Sequence, residues 1–114
     1  MPFTAIELGY IDSTVGTLCR KRSPEHIKDK LSMEYSVKGF DVLMYELRPV
    51  WNDPQRKTES AIAKFKYAKK SKQWTLYWQR ANLKWLRYDK DLTGADLAEL
   101  VDEVDQDSQH VFFG

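Results

Sequence analysis

Residues 61–88 read AIAKFKYAKKSKQWTLYWQRANLKWLRY, and this stretch decides the fold. Ala61, Ala63, Phe65 and Tyr67 alternate with Ile62, Lys64, Lys66 and Ala68. Beyond a Lys69-Lys70-Ser71-Lys72 turn, Trp74, Leu76 and Trp78 alternate with Gln73, Thr75, Tyr77 and Gln79. Beyond Arg80-Ala81-Asn82, Leu83, Trp85 and Arg87 alternate with Lys84, Leu86 and Tyr88. A period of two is the signature of a strand with one buried and one wet face. Three such runs joined by short polar turns predict a β-meander. The same alternation sends the rings of Phe65 and Tyr67 to one side and Lys64 and Lys66 to the other.

Working upstream, Leu31, Met33, Tyr35 and Val37 alternate with polar residues, Lys38-Gly39 forms a turn, and Phe40, Val42 and Met44 alternate again. That pattern predicts an antiparallel hairpin. Pro49 within Arg48-Pro49-Val50-Trp51 marks a strand end or edge. Residues 52–59 (NDPQRKTE) read as a polar, mobile loop. Nearer the start, Leu8, Ile11, Val15, Leu18 and Cys19 recur at helical spacing, and Ser23-Pro24 stops the helix. Downstream, Leu97, Leu100, Val101 and Val104 follow the i, i+3, i+4, i+7 stripe of a second helix, with Thr93 and Asp96 spaced as a capping box. Of the two adjacent rings Phe112 and Phe113, at least one is expected inside the fold. The expectation is a single α+β domain over 1–114: N-terminal helix, five-stranded antiparallel meander sheet and C-terminal helix, with both helices on the sheet face of Trp74, Leu76 and Trp78.

A chain of 114 residues is one domain's length and buries a sizeable core. With 42% hydrophobic and 31% charged residues it is neither disordered nor membranous, since no apolar run approaches the ~20 residues of a span. The opening MPFTAIELGY lacks a basic leader with an apolar core, and the lone Cys19 has no disulfide partner, so a reduced cytoplasmic compartment is expected. The net charge of +1 conceals a gradient: −1 over 1–54, +9 over 55–90 and −7 over 91–114. Such a layout suits a basic surface for a polyanion, or complementary patches that pair between chains.

As an ordered set, Arg-Pro-Val-Trp (48–51), Ala-Lys-Phe-Lys-Tyr (63–67), Trp-Thr-Leu-Tyr-Trp (74–78), Lys-Trp-Leu-Arg-Tyr (84–88), Glu-Val-Asp-Gln-Asp (103–107) and Phe-Phe-Gly (112–114) resemble a bacterial family catalogued as domain of unknown function 3024. The N-terminal helix, Pro24-Glu25-His26 and the run 31–37 extend the resemblance over nearly the whole chain. The family carries no established activity, so the resemblance implies a grouping and no mechanism. It also implies a His at the position of Leu86 and Glu-Pro at Asp89-Lys90, and the departure at Leu86 weakens any catalytic role for that position.

Among chemistry-bearing patterns, cations interleaved with rings stand out: Lys64-Phe65-Lys66-Tyr67 and Lys84-Trp85-Leu86-Arg87-Tyr88. Single-stranded nucleic acid binding uses such pairs, with bases on rings and phosphates on cations. A sheet that buries its rings produces the same text, which splits the platform. Asp105, Asp107 and His110 give a carboxylate-rich tail without the glycine and distal Glu of a calcium loop. Cys19 and His26 are a nucleophile and base only if the fold joins them, and a Cys on an apolar helix stripe acts as a small hydrophobe. No metal or cofactor is expected. The leading expectation is a small non-catalytic interaction module with a protein partner or a second copy of itself, with no membrane role. The alternatives are a weak nucleic-acid binder through strands 64–90 and, last, a small enzyme. The candidate surface is Lys64, Lys66, Lys69, Lys70, Lys72, Lys84 and Arg87.

Overall fold

The computed structural model describes residues 3–24, 31–50, 52–80, 82–88, 96–107 and 111–113. The chain enters through Phe3 and a capping box. Thr4 Oγ1 accepts from the Glu7 N–H at 3.1 Å, and the Thr4 N–H donates to Glu7 Oε1 at 2.8 Å. Helix α1 (Ala5–Ile11) runs through a widened π-turn (Asp12–Gly16) into α2 (Thr17–Lys21). The widening has a local cause. The hydroxyls of Ser13 and Thr14 donate to the Tyr10 carbonyl, and Thr14 also reaches that of Ile11, so side chains satisfy part of the backbone. Asp12 folds back over the turn, where a Cβ on residue 16 would meet Asp12 Oδ1 at 2.5 Å, so any larger residue there would displace the Asp12 side chain. Ile11, Val15, Leu18 and Cys19 still reach the core.

Five antiparallel strands follow in sequence order: β1 (Ser32–Lys38), β2 (Asp41–Val50), β3 (Asp53–Ala68), β4 (Gln73–Gln79) and β5 (Trp85–Arg87). Gly39, at φ +61°, makes the tight β1–β2 link in the left-handed region that favours glycine. The registers align rows across the sheet. Val37, Val42, Phe65 and Leu76 form one inner row, and Tyr35, Met44, Ala63 and Trp78 the next. Helix α3 (Leu97–Gln106) packs on this same face, burying Leu97, Leu100, Val101 and Val104. Both helical segments therefore cover the face of Trp74, Leu76 and Trp78, as the alternation predicts. Leu76 is fully inside, and the two Trp rings are half-buried at its margin. Trp74 stacks on Phe3 at 5.8 Å, within a cluster completed by Phe40 and Tyr67. No helix among the described residues is long and apolar enough to cross a membrane.

Three local expectations are corrected. Residues 53–58 are not a loop: they open β3 and pair back on β2, with Arg48 opposite Thr58, Pro49 opposite Lys57 and Val50 opposite Asp53. Their polarity is that of a two-stranded ribbon wet on both sides, extending past the end of β1. Pro49 is tolerated because β1 ends opposite Leu47, so among the described residues no strand lies beyond it there. Leu83 is not inward-facing; it sits in the β4–β5 turn at φ +66° and is 73% exposed. The cap of α3 is Asp96, whose carboxylate accepts from the Glu99 N–H at 2.9 Å; Thr93 lies outside the described residues, as do His26, Trp51 and His110.

The acidic C-terminal segment is largely occupied in holding the fold. Asp105 receives Lys21 Nζ at 2.6 Å and the Arg22 guanidinium at 3.1 Å. Glu103 is buried and accepts from the Tyr88 hydroxyl at 2.8 Å. Asp107 ends α3 in the left-handed conformation, and its buried carboxylate accepts from the N–H groups of Val111, Phe112 and Phe113 at 2.9–3.0 Å. This pulls Phe112 against Tyr88 and brings Phe113 beneath Arg22, whose guanidinium carbon is 3.6 Å from the ring centre.

Candidate functional site: the uncovered face of the sheet

Because the helices lie on one side, the opposite face of β1–β5 carries whatever the alternation directs away from the core. Two rows define it. One runs Ser36, Leu43, Lys64, Tyr77, Arg87 across all five strands, and the other runs Lys38, Asp41, Lys66, Thr75 across four. Trp85, paired with Gln79, joins them from the edge strand. The Lys64 ammonium stands 4.8 Å from the centre of the Trp85 ring and 5.4 Å from that of Tyr77, within cation–π range of both. Beside it a hollow of about 310 Å³ opens between β1–β3 and β5, lined by Leu43, Ala61, Lys38, Ser36, Gln79 and Trp85 among others.

The sequence-derived candidates divide into three groups. Lys64, Lys66 and Arg87 share the uncovered face. Lys69, Lys70 and Lys72 cap it at the β3–β4 turn, all exposed, at the end where Lys38 and Lys66 also lie. Lys84 is exposed in the β4–β5 turn at the opposite end and stays apart from the other six. Sequence reading missed Lys38, Tyr77 and Trp85 as members of this face. Tyr77 was legible, since it alternates with the inward Trp74, Leu76 and Trp78. Trp85 was not, because its side depends on the pairing of β5 with β4. At the far end, Glu34 and Tyr45 pair across β1 and β2, and burial, with Glu59 and Glu34 adding charge, pushes the Tyr45 phenol up. The positive field is therefore concentrated on the half of the face nearest the lysine turn.

Helix α3 lies across the sheet from this face. Two of its carboxylates, those of Glu103 and Asp105, and the capping Asp107 already have partners within the fold.

The covered side holds a different polar group. Asp12 Oδ1 accepts from the Tyr35 hydroxyl at 2.8 Å and from Arg20 at 3.3 Å, and these bonds, Tyr35 first, hold the Asp12 carboxyl below the usual range. Burial, with Asp12 adding to it, pushes the Tyr35 phenol up to about 12. A cleft of about 450 Å³ beside them is lined by Cys19, Arg20, Ser23, Met33, Glu34 and Tyr35. Burial and then the charge of Glu34 push the Cys19 thiol up to about 12, so it is protonated at neutral pH and a poor nucleophile. Among the described residues no group of His, Cys, Asp and Glu side chains converges to hold a metal ion. Asp105 and Asp107 point into separate networks.

This geometry defines an α+β domain whose helices pack on one face of the sheet, the other face being uncovered among the described residues. The chain belongs to the family described as domain of unknown function DUF3024, whose model matches residues 3–114. No curated protein and no solved structure matches the chain.

Proposed function

We propose that the domain is a non-catalytic binding module that takes an anionic partner on the uncovered face of its sheet, in the cytoplasm of a bacterium. One observation carries the reading: Lys38, Lys64, Lys66 and Arg87 share a surface that the helices leave open, continuous with the lysine turn 69–72. A surface on which these cations outnumber Asp41, placed between Lys38 and Lys66, still attracts polyanions and accelerates their encounter. The competing reading, a dimer made by basic strands against acidic tails, draws less support. Asp105, Asp107 and Glu103 are held internally, which leaves Glu99 and Asp102 as the exposed acidic positions on α3. The enzyme reading would use the Cys19 cleft, where the protonated thiol argues against nucleophilic chemistry.

The test is retention on immobilised heparin at rising salt. The wild-type protein is expected to be retained at low salt and to elute as counterions compete. A variant combining Lys38→Gln, Lys66→Gln and Arg87→Gln should elute much earlier with its fold intact by circular dichroism. Equal elution of the two proteins would sink the assignment to this face.

A further inference from the structure

We propose that the hollow lined by Trp85, with Tyr77 linked to it by the shared Lys64 contact, is a stacking site for an unpaired base of single-stranded nucleic acid, with the phosphates running over Lys64 and Lys66 toward the lysine turn. This rests on the anion-binding reading above and goes beyond it. A surface that only attracts negative charge has no use for rings, yet Tyr77 and Trp85 stand half-exposed on the wet side of this sheet, both within cation–π range of Lys64. The inner face is rich in apolar rows and holds Trp74 and Trp78 at its margin, whereas Trp85 is directed away from it.

Three features fit an unpaired base. The first is the ring face. Every base has a π-surface, so stacking on Trp or Tyr is tolerant of sequence and combines with cation contacts on the same strand. Lys64 now spans both rings; its ammonium can turn to a phosphate while a base takes its place on the indole. The second is the hollow. At about 310 Å³ it is at the small end of ligand sites, with Leu43 and Ala61 as apolar lining and Ser36, Asp41 and Gln79 as hydrogen-bonding groups among its walls. The third is the layout of charge. Lys64 and Lys66 are two residues apart on one strand and one face, roughly 7 Å along it. Lys69, Lys70 and Lys72 continue the positive track beyond them. A duplex hides its bases in a stack and presents no unpaired ring to the hollow. An acidic peptide would meet the cations and leave the rings unused.

The experiment compares three probes at low salt: oligothymidylate, an abasic phosphodiester of the same length, and polyglutamate. Wild-type protein should bind oligothymidylate most tightly. Trp85→Leu, which keeps apolar bulk without a ring, should weaken oligothymidylate binding about 5- to 150-fold, the range set by one lost stack, and leave the abasic probe within about two-fold. Tyr77→Leu should act in the same direction, so the test survives if one variant fails to fold. Lys66→Gln should weaken both phosphodiesters together. Equal binding of the oligothymidylate and abasic probes, unchanged in both ring variants, would overturn the stacking site while leaving an anion-binding face. Tightest binding to polyglutamate would overturn it in favour of an acidic protein partner. No binding of any probe at low salt would remove the underlying reading as well.

Discussion

The two faces of one sheet come from the same strands and differ in nearly every physical respect. On the covered face, Val42, Met44, Ala63 and Phe65 are completely excluded from solvent and interlock with residues from both helical segments. On the uncovered face, one residue along each strand, Leu43, Lys64 and Tyr77 lie side by side in one row with Lys66 in the next, all reached by water. The first face has its energy in area removed from water. The second has little to lose on truncation, because exposed charges contribute about 0–1 kcal/mol each. Stability and the proposed recognition are thus separated by the thickness of a sheet, and a substitution should address one with little effect on the other.

The largest effects belong to the covered face. Phe65→Ala should cost about 3–5 kcal/mol and Leu100→Ala about 2–5 kcal/mol, read from urea denaturation. A loss of a few tenths at Leu100 would mean that α3 is peripheral. The same face has a chemical readout in Cys19. Its folded thiol is raised to about 12 by burial and the nearby Glu34 charge, above the ordinary value near 9. The neutral form is the one the fold favours, so this contribution is complete below about pH 9 and is lost as pH rises toward 12. Native protein should resist thiol reagents at neutral pH; rapid labelling would show that the helical stripe opens.

Next in size is the closure of the chain's end. Asp107→Ala removes an acceptor shared by three backbone N–H groups and should cost about 2–3 kcal/mol, with faster amide exchange at Val111, Phe112 and Phe113. Slow exchange persisting in the variant would place the anchoring in Phe112 packing alone.

Smaller still is the pair that ties α3 to the first helical segment. Lys21, then Arg22, hold the Asp105 carboxyl below its ordinary value against the opposing effect of burial. Its folded pKa is depressed, so the contribution is present above the unfolded value near 4 and is lost as pH falls through the folded one. The stability gap between wild type and Asp105→Asn should therefore be visible at neutral pH and close in acid. A gap that does not change with pH would show that the carboxylate charge is irrelevant to the link.

The smallest effect is the sharpest contrast. Lys66→Gln should change stability by less than about 0.5 kcal/mol while shortening heparin retention. A Lys66 variant that unfolds as Phe65→Ala does would erase the distinction between the faces.

Local pattern alone was enough for the two helical regions and for the side that β1, β2, β4 and the inner half of β3 bury, but not for residues 53–58 or for β5. The period of two at Ala63, Phe65 and Tyr67 and at Trp74, Leu76 and Trp78, and the stripe Leu97, Leu100, Val101, Val104, are properties of neighbours in the chain, and burial follows them because an apolar face has one low-energy place to go. The lysines opposite Phe65 were legible for the same reason. What lay beyond the sequence depends on groups brought together from afar. Residues 53–58 became a strand because Arg48–Val50 lies alongside to accept their hydrogen bonds. Asp105 and Asp107, read in order, resemble metal ligands; Lys21, Arg22 and the backbone of 111–113 turn them into structural acceptors. Trp85 joined Lys64 because β5 pairs with β4 in the one register that points its ring away from the helices. Periodicity is written in the chain, whereas partnership across tens of residues exists only once the strands and helices have packed.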